Sequence, residues 1–155
     1  MKVFRNIVAA LLSIAVMAGA SAAPVGATGC KVITNPGMAS FSWWTAPGGF
    51  TTYPMGFTGT LYTGDSTSGC NDINIASIHD TNPAMCGDFG GYALVAVQYL
   101  SGGVWHNDSQ GVTSVRCDSS SLVVVGAGYA NNTPFRVLID VGGNPYPWPT
   151  FKLYV

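Results

Sequence analysis

Apolar and polar residues alternate with a period of two along several stretches of the chain, the signature of a strand with one face in a core. In FRVLIDV (135–141), Phe135, Val137, Ile139 and Val141 fall on one side and Arg136, Leu138 and Asp140 on the other. FKLYV (151–155) repeats the pattern with Phe151, Leu153 and Val155. GYALVAVQYL (91–100) and SLVVVGAGY (121–129) are nearly continuous apolar runs, too short and too β-branched for helices, and are predicted as central strands covered on both faces. NDINIASIHD (71–80) alternates through Ile73 and Ile75, then changes parity at Ile78, which predicts a bulge near Ser77. CKVIT (30–34), ASFSWW (39–44), TGTLYT (58–63) and VTSVRC (112–117) are shorter strand candidates.

Between these runs lie turn residues, with 20 glycines and 9 prolines in the chain, so strands joined by turns are favoured over helices. The expected fold is all-β: a small, disulfide-braced antiparallel β-sandwich, immunoglobulin-like or jelly-roll-like, with a Greek-key barrel as the alternative.

The first residues follow a different pattern. Lys2 and Arg5 precede an apolar run from Ile7 to Gly19, and Ala20-Ser21-Ala22 supplies small residues for cleavage. Residues 1–22 thus have the form of a secretory signal peptide, leaving 23–155 as a single secreted domain. The apolar run is shorter than the ~20 residues of a comfortable membrane span. Four cysteines, at 30, 70, 86 and 117, follow this segment, and an even count in an oxidising compartment predicts disulfides. Three pairings are possible. Cysteines at the open end of a hairpin lie equidistant from its turn. The midpoint of 86 and 117 falls in the SGG at 101–103, and that of 30 and 70 in the PGGF at 47–50, whereas 70 and 86 centre on the apolar Ile78. Cys30–Cys70 and Cys86–Cys117 are therefore expected.

Charge narrows the partners. Beyond residue 22 the cations are Lys31, Arg116, Arg136 and Lys152, set against aspartates 65, 72, 80, 88, 108, 118 and 140, with no glutamate. A weakly acidic chain without a basic cluster lacks the footprint for nucleic acid or anionic membranes. The expected partners are a polysaccharide or another extracellular protein, with the chain itself a monomer.

Chemistry-bearing motifs are sparse. The aspartates sit mostly beside glycine, asparagine or serine, as in TGDS and CDSS, where their side chains cap turns. No G-x-S-x-G elbow is present, and no catalytic residue, cofactor or metal site is expected. His106 and Asp108 share strand parity in SGGVWHNDSQG (101–111), yet a histidine beside turn residues reads more simply as solvent-facing. NDINIAS-I (71–78) echoes NDSQGVTSV (107–115) with one gap, and both Asn-Asp pairs offer oxygen ligands of the calcium type without an EF-hand loop.

Aromatic residues carry the functional expectation. Trp44, Trp105, Tyr129, Tyr146 and Trp148 are the candidate ligand-binding residues, the last two in the proline-stiffened GGNPYPWP (142–149). Rings on rigid loops with amides nearby suit a sugar, so a non-catalytic carbohydrate-binding module is expected. A secreted protein-directed inhibitor or toxin-like effector is the alternative, followed by a small Asp/His hydrolase.

Overall fold

The computed structural model describes residues 29–49, 51–64, 70–79, 86, 90–142 and 148–155. Residues 1–22, expected to form a signal peptide, and Tyr146 and Asp65 lie outside the described residues. The described residues form eleven strands: β1 (Val32–Thr34), β2 (Met38–Thr45), β3 (Thr52–Thr58), β4 (Leu61–Tyr62), β5 (Ile73–His79), β6 (Tyr92–Ser101), β7 (Val104–Asn107), β8 (Thr113–Arg116), β9 (Val123–Gly126), β10 (Pro134–Asp140) and β11 (Thr150–Tyr154). They form two antiparallel sheets. One has the order β1-β11-β5-β9; the other runs β2-β3-β10-β6-β7, with β4 added to β10 and β8 to β6.

The alternating positions explain how the sheets meet. Ile73, Ile75 and Ile78 of β5 and Phe151 and Leu153 of β11 face Val95 and Val97 of β6 and Phe135, Val137 and Ile139 of β10, forming one continuous core. The opposite face of the larger sheet is buried too. Trp44, Met55, Phe57, Ala96 and Leu138 make a second, smaller cluster there, with Tyr53 and Val112 packed against it. Leu138 and Asp140, assigned by alternation to a polar face, are consequently both buried.

Curvature of the larger sheet accounts for this. β2 and β7 are four strand steps apart, about 19 Å in a flat sheet. Trp44 Nε1 of β2 nevertheless donates to Asn107 Oδ1 of β7 at 3.3 Å. The sheet must therefore curl until its two edges approach each other around the second core. The architecture is a disulfide-braced sandwich whose larger layer is a half-closed trough.

Three local features refine the expectations. Ser77 adopts φ 54°, and the β5–β11 register slips between the His79–Thr150 and Ala76–Lys152 pairs, so the bulge lies where the parity change placed it. The run 121–129 is not a central strand. β9 covers only Val123–Gly126 at the edge of the smaller sheet, where Val124 is exposed, because Gly126, Ala127 and Gly128 lead the chain away. The internal strand β3 was not anticipated, since Pro54 and Gly56 interrupt its pattern. At Gly56 the missing side chain leaves room for the Trp148 ring, which lies 3.0 Å from where a Cβ would stand. Between β3 and β4 the ladder on β10 lapses, and Thr58 Oγ1 accepts the Val137 N–H at 3.0 Å in its place.

Both disulfides are Cys30–Cys70 and Cys86–Cys117. The second follows the hairpin argument. Cys86 precedes β6 and Cys117 follows β8, whose Tyr92–Arg116 pair continues the ladder towards the bridge. The first forms for a different reason. Chain reversal does occur at 46–51, but it joins β2 to β3 in the other sheet, whereas Cys30 and Cys70 precede β1 and β5, which flank β11 and start at the same end.

Candidate functional site

Two segments rich in turn residues approach each other at one edge of the larger sheet: the excursion at 107–111 between β7 and β8, which pair successive parts of β6, and the β9–β10 loop at 127–133. Both are fixed from below by aspartates of the two Asn-Asp pairs. Asp72 Oδ1 accepts the Gly128 N–H at 3.0 Å and Asn71 O accepts the Tyr129 N–H at 2.7 Å. Asp108, itself buried, accepts the Gln110 N–H at 2.8 Å through Oδ1 and the Tyr129 hydroxyl through Oδ2. The sequence echo thus corresponds to two clamps on one loop. Thr63 completes the hold, accepting the Thr133 N–H at 2.8 Å and donating to Ala130 O at 2.7 Å.

A cleft of about 670 Å³ opens between these segments and the end of β6. Residues with hydroxyl or amide groups, among them Tyr99, Ser101, Asn107, Ser109, Asn132 and Thr133, line it together with the apolar Leu100, Ala127 and Pro134. Tyr99 stacks on His106 at a ring separation of 5.4 Å and meets Tyr129 edge-on at 5.8 Å. Tyr129 is therefore a buried support of the cleft rather than an open ring. Burial, followed by its bond to the Asp108 carboxylate, holds the Tyr129 hydroxyl far above the ordinary tyrosine value of about 10. A group whose pKa is raised on folding contributes stability that is present below its unfolded value and lost as pH climbs towards the folded one. Stability should therefore decline above about pH 10, and Tyr129→Phe should flatten that part of the profile while weakening the fold at neutral pH by about 1–3 kcal/mol, the cost of leaving Asp108 short of a partner. Urea titrations at pH 7 and at alkaline pH check both effects.

The remaining candidates disperse. Trp44, expected as a ligand face, is only 8% exposed and anchors the second core, whereas its neighbour Trp43 is 65% exposed and edge-on to Phe41. The pleat forces this division, and Trp44 is the one on the face that carries the second core. Trp148 is half-buried over Gly56 near Met38 and Val141, so it packs on the scaffold. Trp105 on β7 is half-buried, with the Arg136 guanidinium 4.4 Å from its ring centre. Comparison with protein-family models, curated proteins and solved structures finds no match for this chain. Function therefore has to be read from the site itself.

On the trough side of the sheet, Arg136, Gln98 and Asn107 form a row across three strands that alternation did not single out. Arg136 Nε donates to Gln98 Oε1 at 2.8 Å, and Gln98 Nε2 donates to Asn107 Oδ1 at 2.7 Å. The signal in the sequence was Gln98, the one strongly polar residue inside GYALVAVQYL. Burial pulls the Arg136 pKa below the ordinary arginine value.

The hydrolase expectation has one geometric counterpart. His79 Nδ1 lies 2.6 Å from Asp118 Oδ1, the contact that orients an imidazole in a catalytic triad, but both side chains are more than half exposed. No serine hydroxyl is bonded to His79 among the described residues. His106 and Asp108 do not meet: the first stacks outward on Tyr99, and the second turns inward to Tyr129. Among the described residues no group of three His, Cys, Asp or Glu side chains comes together as a metal site. No described helix is long and apolar enough to cross a membrane.

Proposed function

We propose that this chain is a secreted, non-catalytic glycan-binding module whose ligand lies in the cleft between the 107–109 turn and the 127–133 loop. The observation that carries the proposal is the combination of hydroxyl- and amide-bearing lining residues with walls held rigid by the Asp72, Asp108 and Thr63 bonds. Sugar recognition requires donors and acceptors in fixed positions, and a wall already ordered loses little entropy when a ligand arrives. The cleft volume falls within the range of small-molecule sites, ~300–1,000 Å³. Two disulfides fit an oxidising, extracellular-type environment, and the basic, apolar and small residues of 1–22 fit export.

The test is retention on a panel of insoluble polysaccharides, followed by calorimetry with soluble fragments of any that bind. Asn132 has φ 54°, so Asn132→Gly keeps the backbone while removing the amide, and Ser109→Ala removes a hydroxyl. The double variant is expected to bind roughly tenfold more weakly, as two neutral hydrogen bonds at about 0.5–1.5 kcal/mol each imply. Retention of no glycan, or equal affinity in the parent and the double variant, would exclude the cleft as a glycan site.

A further inference from the structure

Among the described cations, Arg136 has the most constrained surroundings. Its guanidinium lies 4.8 Å from the Phe57 ring centre and 4.4 Å from that of Trp105, so two aromatic rings fix its position. Nε is held by Gln98, which is bonded to Asn107, which in turn accepts from Trp44 of the second core. Orientation is therefore set by a chain of bonds rooted in the packed interior. The two terminal nitrogens have no hydrogen-bond or ion-pair partner among the described residues. Every fully buried side-chain nitrogen there is satisfied, so neither terminal nitrogen is fully buried. The described aspartates are engaged elsewhere: Asp72 with Gly128, Asp108 with Tyr129, Asp118 with His79 and Asp140 with Gly142. A guanidinium that is positioned, partly desolvated and without a counter-ion among the described residues presents the planar donor pair that matches a carboxylate in bidentate geometry.

Its neighbours indicate what would carry that carboxylate. Asn107 belongs to the wall of the cleft, and it stands two strand spacings, about 10 Å, from Arg136 along the Arg136–Gln98–Asn107 row. Trp105 shares the face of Asn107 and is half-buried beside the guanidinium, its remaining open area offering an apolar surface to a ring. We infer that Arg136, backed by Trp105 and Phe57, is a preformed receptor for the carboxylate of an acidic sugar, so that the glycan of the cleft is a uronic-acid polymer. This inference rests on the glycan-binding proposal and adds the ligand's chemical class to it.

Nitrogen-15 spectra of the full chain test it through Arg136 Nε–H and Trp105 Nε1–H, with backbone amides of 127–133 reporting on the cleft. The probes are trigalacturonic acid, its methyl ester, sodium acetate and inorganic phosphate. The acid is expected to move both side-chain signals saturably and to shift the cleft amides, while the ester shifts the cleft amides only. Arg136→Lys, which keeps the charge but loses the planar fork, should bind the acid at least tenfold more weakly, and Arg136→Gln should abolish the Trp105 response while the dispersion of the spectrum confirms an intact fold. Cleft shifts without an Arg136 response, or an ester that moves Arg136 as far as the acid does, would overturn the carboxylate receptor and leave glycan binding standing. Acetate or phosphate binding as tightly as the acid would reduce the site to a generic anion contact and overturn the inference. Silence of the cleft amides towards both saccharides would remove the glycan-binding proposal and this inference with it.

Discussion

Trp44→Ala is expected to destabilise the fold by about 3–5 kcal/mol, the range for removing a buried large aromatic, whereas Trp43→Ala should stay within about 0.5 kcal/mol of the parent. The two residues are adjacent and chemically identical, so any difference must come from where the pleat points them. Trp44 fills the second core against Met55, Phe57 and Leu138 and bonds across the trough to Asn107. Trp43 points the other way and stands in solvent apart from its edge contact with Phe41. Trp44→Phe separates packing from the hydrogen bond, and should recover most of the loss except for about 1 kcal/mol. Urea midpoints at constant slope provide the comparison. Equal losses at Trp43 and Trp44 would mean that the larger sheet does not curl as described.

Replacing both Cys30 and Cys70 by serine should cost about 3.5–4 kcal/mol on the loop-entropy model, within the ~2–5 kcal/mol range found for native bridges in small secreted domains. The sequence separation is 40, against 31 for Cys86–Cys117, so the model alone makes the two bridges nearly equivalent. Structure distinguishes them. Cys86–Cys117 reinforces strands that the β6–β8 ladder already aligns through four paired residues. Cys30–Cys70 secures β1, which has three residues and a single neighbour, β11. The Cys30→Ser/Cys70→Ser variant is therefore expected to show the lower urea midpoint of the two double replacements, and a loss below about 1 kcal/mol would contradict that role.

Much of the fold is legible as local periodicity. Phe151, Leu153 and Val155 alternate cleanly because β11 is central in its sheet and its other face is open, and the bulge at Ser77 shows as a slipped parity. Less legible are features created only when distant strands meet. Leu138 and Asp140 look like a polar face until the trough closes over them, and β3 is disguised by Pro54 and Gly56, the latter chosen by the Trp148 ring above it. The candidate site divides in the same way. Asp72 and Asp108 were visible as turn-formers, and they do hold turns, but nothing local reveals that both hold the same loop. Exposure of individual aromatics was the least legible property. Neighbouring tryptophans have the same local pattern, and only the curl of the sheet separates the buried ring from the open one.

The smaller sheet contains no hairpin: β1 lies beside β11, β11 beside β5, and β5 beside β9. Each of these pairings joins strands far apart in the chain, so each has to close a long loop before it gains a contact. The larger sheet has the β2–β3 and β6–β7 hairpins to start from. Assembly should accordingly run from one layer to the other, the trough ordering first and offering β10 and β6 as the surface on which the second layer condenses. Covalent maturation inherits that order. Cys86 and Cys117 are brought together by the early layer, while Cys30 and Cys70 meet only when β1 and β5 have both docked against β11, which makes the Cys30–Cys70 bond the seal on a finished fold rather than a guide towards it.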